Sequence, residues 1–152
     1  MLALTLALVL TASAPVAASD GDAVVPFKAV YNMSPQIVGV DSNGCNIQVL
    51  PGVGKATHLG ESTFYSDAVA CPSTLSQSGD MLFTADNGDQ LWGSFEGDLA
   101  FSFPTVHFWG DFQITGGTGR FEGVTGSGTY EGTAVVTPGG KGILYFDGTL
   151  HK

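Results

Sequence analysis

Few side chains in this chain have both the type and the spacing to do chemistry. His58, His107 and His151 are scattered, and His151 stands next to the C-terminus. A nucleophilic triad needs a histidine, a carboxylate and an activated serine or cysteine held together. No Gly-x-Ser-x-Gly elbow stands before a helical stretch to supply one. Zinc is not expected, because neither Cys45 nor Cys71 has a second cysteine or a histidine at ligand spacing. Asp80, Asp86, Asp89, Glu96 and Asp98 gather around one turn. They read as solvated turn carboxylates, with a weak calcium site as the sharper alternative, although EF-hand spacing is absent. No metal and no cofactor are therefore expected. The best candidate for a ligand site is the set Phe83, Phe108, Phe112, Tyr130 and Phe146. It is either a solid core or the wall of an apolar pocket with Tyr130 as its polar handle, the usual composition of small-molecule sites.

A second candidate is "DFQITGGTGRFEGVTGSGTYEGTA", residues 111–134, which holds seven of the chain's 22 glycines. A dinucleotide fingerprint places its third glycine three residues after the second and opens a helix. Here Gly117-Thr118-Gly119 is followed by Arg120-Phe121-Glu122, and the chain alternates straight into another strand. A phosphate-binding P-loop ends in Gly-Lys-Ser/Thr, which is missing. A calcium-binding nonapeptide places Asp at its sixth position, and Phe121 stands there. The glycines are turn and strand punctuation.

The elements that must position these residues are strands. Helix signals are almost absent, and strand-like runs recur roughly every 8 to 15 residues between Gly, Pro, Asn or Asp. The runs are "VVPFKAVYNM" (24–33), then one long bent strand or two short ones between Cys45 and Thr63, continued by "FYSDAVAC". After these come "GDMLFTA", "QLWGSFEG", "TVHFWGDFQIT" (105–115), "GSGTYEGTAVV" (126–136) and "GILYFDGTL" (142–150). Asn87-Gly88 marks one hairpin and Pro138-Gly139-Gly140 another. Period-2 alternation places Met81, Phe83 and Ala85 on one apolar face with Val106, Phe108, Gly110, Phe112 and Ile114. Tyr130, Gly132, Ala134 and Val136 join it, as do Leu144, Phe146, Gly148 and Leu150. Trp92, Trp109 and His107 fall on the polar face. The two tryptophans either pack against a neighbouring subunit of a homo-oligomer or, with the faces inverted, line the interior. About eight antiparallel strands with one apolar face close most economically into an all-β, up-and-down barrel, which also removes its edges.

"FQITGGTGRFEGVTGSGTY", with "DNGDQLWGSFEG" upstream, resembles the glycine-rich segment of the allene oxide cyclase barrel family and, more loosely, that of dirigent proteins. The resemblance covers residues 79–150 and implies an eight-stranded, calycin-like antiparallel barrel with an apolar lumen. It also implies a candidate role for Asn32 in "VYNM" as a lumen-lining polar residue, although the carboxylates of the family's first strand are missing here. Tyr130 or Asn32 would then polarise a bound substrate.

Composition bounds the partners. Met1 to Leu10 is apolar and runs into "TASAPVAAS", the pattern of a secretory leader cut after Ala14 or Ala18. It is too short to span a bilayer. Residues 1–18 are thus expected to leave, and residues 19–152 to form one barrel domain. The formal charge of −9 argues against nucleic acid or an anionic membrane as partner. In a secreted or periplasmic protein the two cysteines pair as Cys45–Cys71. Three functions follow: a binder of an apolar small molecule in the lumen, a cofactor-free cyclase or isomerase acting by substrate orientation, or an exported structural barrel with a packed core.

Overall fold

Alternation of buried and exposed residues governs the whole chain. In β1 (Val24–Met33), Phe27, Ala29, Tyr31 and Met33 point inward while Lys28, Val30 and Asn32 point out. The computed structural model describes residues 23–152. The further strands are β2 (Gln36–Val40), β3 (Asn46–Val49), β4 (Gly52–Ala56), β5 (Gly60–Cys71) and β6 (Ser76–Ala85). After them come β7 (Gln90–Ser102), β8 (Thr105–Gly117), β9 (Thr125–Val135) and β10 (Gly142–His151), with one 3-10 turn at Gly119–Phe121 between β8 and β9.

Neighbours in the sheet run β2-β3-β5-β4-β1-β10-β9-β8-β7-β6, and a β5–β6 ladder closes the ring. Two of the staves are broken by proline, which lacks the N–H a ladder requires. β1 and β2 form one stave interrupted at Ser34-Pro35, and β3 and β4 form another interrupted at Leu50-Pro51. The Ser34 N–H donates to the Pro51 carbonyl at 2.9 Å, so the two breaks lie side by side. The molecule is therefore the expected closed, eight-stranded antiparallel barrel. Two short strands, β3 and β4, lie between Cys45 and the reversal at residues 57–59, and "FYSDAVAC" does not continue them but belongs to the antiparallel β5. β2 has no counterpart among the expected strand runs, because "QIVGV" is too short and too glycine-interrupted to show alternation.

Side chains finish the seam where β4 is too short to cover β1. The Lys28 N–H donates to Thr57 Oγ1 at 2.9 Å, and the Thr57 N–H donates to the Lys28 carbonyl at 2.8 Å. His58 Nε2 reaches the Pro26 carbonyl at 3.0 Å. The disulfide Cys45–Cys71 ties the start of β3 to the end of β5 and so braces the β2–β3 ribbon.

Glycines do two structural jobs here, the second of them inside the segment 111–134. Gly97 and Gly110 face each other across β7 and β8, and a Cβ on Gly97 would lie 2.0 Å from the Trp109 carbonyl and 2.6 Å from Tyr130 Oη. The sheet bends there because no side chain intervenes. Below it, Gly119 and Gly123 take positive φ values of 58° and 74°, a region open to glycine at no steric cost. The turn they shape drives Phe121 inward, where it is fully buried and stoppers the lower end of the barrel.

Candidate functional site

The five expected lining residues, Phe83, Phe108, Phe112, Tyr130 and Phe146, all point inward and are buried. Phe146 sits 5.2 Å from Phe83, 5.4 Å from Phe112 and 6.3 Å from Tyr130, ring centroid to ring centroid. They do not enclose a pocket alone. Phe27, Tyr31 and Phe64 fill the centre, at 5.3 to 5.7 Å from Phe83, and Phe95 packs edge-on against Tyr130 at 5.3 Å. These four were not among the expected lining residues, although alternation in "VVPFKAVYNM", "FYSDAVAC" and "QLWGSFEG" carries the signal. Mostly edge-to-face contacts of this kind add about 0.5–1.5 kcal/mol per pair beyond area burial.

A small cavity of about 20 Å³ remains beside Tyr130, bounded by Leu50, Phe64, Ser66, Gln77, Phe95 and Tyr130 among others. That is room for about one water; ligand pockets run to roughly 300–1,000 Å³. Its polar groups are few. Gln77 Nε2 donates to Tyr130 Oη at 2.9 Å, and the buried Ser66 Oγ has no hydrogen-bond partner among the described residues. Deeper in, Tyr31 Oη and Ser62 Oγ are 2.7 Å apart.

Burial pushes the Tyr130 phenol up to about 12; Gln77 opposes the rise, and the carboxylates Asp98, Asp111 and Glu96 add to it. Burial likewise pushes Tyr31 up to about 12, against the hydrogen bond from Ser62. Both phenols are therefore neutral at physiological pH, and Tyr130 Oη accepts the hydrogen bond from Gln77.

Asn32 does not join it. Asn32 lies on the outer face of β1, exposed, paired with Ile143 and Val53, and Tyr31 occupies the inward position beside it. One residue of register separates the two faces of a strand, so Asn32 and Tyr130 stand on opposite sides of the barrel wall.

Of the carboxylates around the β6–β7 turn, Asp89 is tied into the turn itself. Asn87 Oδ1 accepts from the Asp89 N–H, Asn87 Nδ2 donates to Asp89 Oδ2, and Arg120 Nε lies 3.6 Å from Asp89. Among the described residues no group of three or more His, Cys, Asp or Glu side chains is arranged to hold a metal ion.

The outer wall carries a broad open concavity of about 1,660 Å³ whose lining includes His107, Trp109, Glu131 and Tyr145. Both tryptophans lie outside the barrel, as alternation places them. Trp92 lies over Gly116, close enough that a Cβ there would be 3.0 Å from the indole. Trp109 stacks on His107 with centroids 4.9 Å apart.

Compared with known proteins, the chain matches no family model, no curated protein and no solved structure. The class that the structure defines is a closed, eight-stranded, disulfide-braced β-barrel with a packed aromatic interior.

Proposed function

We propose that this chain is an exported, non-catalytic barrel whose interior serves stability and whose outer wall makes its contacts. The observation that carries this reading is the packed aromatic interior, whose cavity beside Tyr130 has only about 20 Å³, far below what a drug-sized molecule needs. The separation of Asn32 from Tyr130 supports it, since of the two groups expected to polarise a substrate only Tyr130 faces the interior. Export rests on the leader pattern of residues 1–18, which lie outside the described residues, and on the cystine. Kinship with the allene oxide cyclase barrels rests on the segment 79–150 and agrees with the barrel architecture.

One experiment addresses export and lumen together. The full chain is expressed in a host with a secretory pathway, the mature N-terminus is sequenced, and the purified protein is denatured and extracted for mass spectrometry. A start at residue 15 or 19 with no stoichiometric small molecule supports the proposal. Retention of residues 1–18 refutes export, and a stoichiometric apolar compound refutes the packed-interior reading.

A second reading has one observation in its favour. Ser66 Oγ and the Tyr130–Gln77 pair border the same small cavity, which is how a polar-headed apolar ligand would be held once Phe95 or Leu50 swung aside. Under it, Tyr130→Phe separates binder from cyclase: a binder loses little affinity, whereas a cyclase using the hydroxyl loses turnover.

A further inference from the structure

A set of unpaired carboxylates on the outer wall, among the described residues, surrounds one exposed indole. On β8, His107, Trp109 and Asp111 point outward. The residues directly opposite Trp109 are Asp98 on β7 and Glu131 on β9, and Asp111 is opposite Glu96. Directly opposed residues have Cβ atoms about 4.5–5.5 Å apart, so a carboxylate rises on each side of the indole. Trp109 is 38% exposed, and His107 stacked on it at 4.9 Å limits how its ring turns. None of the four carboxylates has an ion-pair partner among the described residues, where Lys28, Lys55 and Arg120 are engaged with Asp147, Glu61 and Asp89. Their field is strong enough that Asp98, Asp111 and Glu96 raise the Tyr130 phenol on the other side of the wall. The face lies within the open concavity and is accessible to an extended chain.

An aromatic platform between carboxylates selects among cations. A guanidinium is planar and weakly hydrated, stacks on an indole, and presents its N–H fork to carboxylates in its own plane. An ammonium satisfies the charge but not the stacking or the fork. Tryptophan and arginine are also the residues that dominate protein interfaces. We propose that this face docks an arginine-bearing segment of a partner protein, one guanidinium lying over the Trp109 indole between Asp98 and Glu131. The proposal rests on the reading that the outer wall makes the protein's contacts.

The test is calorimetric titration of the mature protein with tetra-arginine and with tetralysine at one fixed salt concentration. Tetra-arginine should bind at least about fivefold more tightly, the scale of one stacked cation at a partly exposed site. Trp109→Ala should abolish that preference, and Asp98→Asn with Glu131→Gln should weaken both peptides. Asp67→Asn with Asp80→Asn removes the same charge from a directly opposed pair outside the concavity, and should change neither. Thermal unfolding of each variant confirms that these exposed sites leave the fold intact.

Equal binding of the two peptides overturns the proposal, and so does an equal loss in the Asp67/Asp80 variant, since either makes general acidity the cause. Denaturing extraction of the same sample separates the two readings. An occupied lumen with the arginine preference intact refutes only the packed-interior reading. An empty lumen without the preference refutes only the docking face.

Discussion

Replacing Phe121 by alanine removes the side chain that seals the lower end of the barrel. Phe121 is fully buried at the end of the 3-10 turn, and a Cβ on Gly117 would lie 2.6 Å from its own Cβ. Arg120 and Lys152 place their cations 4.9 and 5.8 Å from its ring centre. Truncating a buried phenylalanine costs about 3–5 kcal/mol through lost burial and the cavity left behind. The barrel favours the upper part of that range, because hydrogen-bonded staves do not collapse onto a void. For a domain of about 130 residues the entropy of unfolding is roughly 0.27 kcal/mol per kelvin, so Tm should fall by about 11–18 °C. Phe103→Ala is the matched control: the same side chain is deleted at a site 84% exposed, where surface changes stay within about 0.5 kcal/mol and Tm should move by no more than about 2 °C. Calorimetry at neutral pH, with near-ultraviolet circular dichroism to confirm native packing, measures both. A Tm loss below about 4 °C for Phe121→Ala, or equal losses for the two variants, would refute the role of the glycine-rich segment as a plug.

Three further outcomes follow from the same coordinates. Replacing Cys45 and Cys71 by alanine should destabilise by roughly 3.5 kcal/mol on the chain-entropy model for a loop of about 27 residues; urea unfolding with and without reductant measures it, and equal midpoints would exclude a stabilising cystine. Gly97→Ala drives a methyl into the Trp109 carbonyl and Tyr130 Oη, and should cost at least about 3 kcal/mol, the upper end of ordinary overpacking; a variant with an unchanged urea midpoint would show that the wall yields there. Burial raises Tyr31 and Tyr130 to about 12 from the ordinary phenol value of 10. Above pH 10 the unfolded state releases protons that the folded state keeps, so stability present below pH 10 is lost as pH rises toward 12, on the order of 2–3 kcal/mol for each tyrosine. Ultraviolet titration should show these two of the chain's four tyrosines ionising only as the fold opens, and early ionisation of all four would contradict their burial.

Much of the interior was legible without coordinates. Phe83, Phe108, Phe112, Tyr130 and Phe146 alternate with polar neighbours in runs long enough to show period two, and each lies inside. Asn87-Gly88 and Pro138-Gly139-Gly140 turn where their backbone chemistry requires. Asn32 shows the limit of likeness by segment: it stands one position from the inward Tyr31, and one position is the whole difference between lumen and solvent. Phe121 escaped notice because its burial depends on a turn of glycines at positive φ, not on alternation.

Most strand identities, the facing of the long strands and the hairpin positions are local properties, set by neighbours a few residues apart, and the sequence alone determined them; the cysteine pairing followed from there being only two cysteines. The volume of the lumen was decided by closure, because it is the difference between the ring that eight staves enclose and the summed side chains pointing into it. That difference is small here, and no single strand contains it. The company of Trp109 was likewise decided by register: Asp98 and Glu131 lie on separate strands and reach its two sides only through the pairing of β7, β8 and β9.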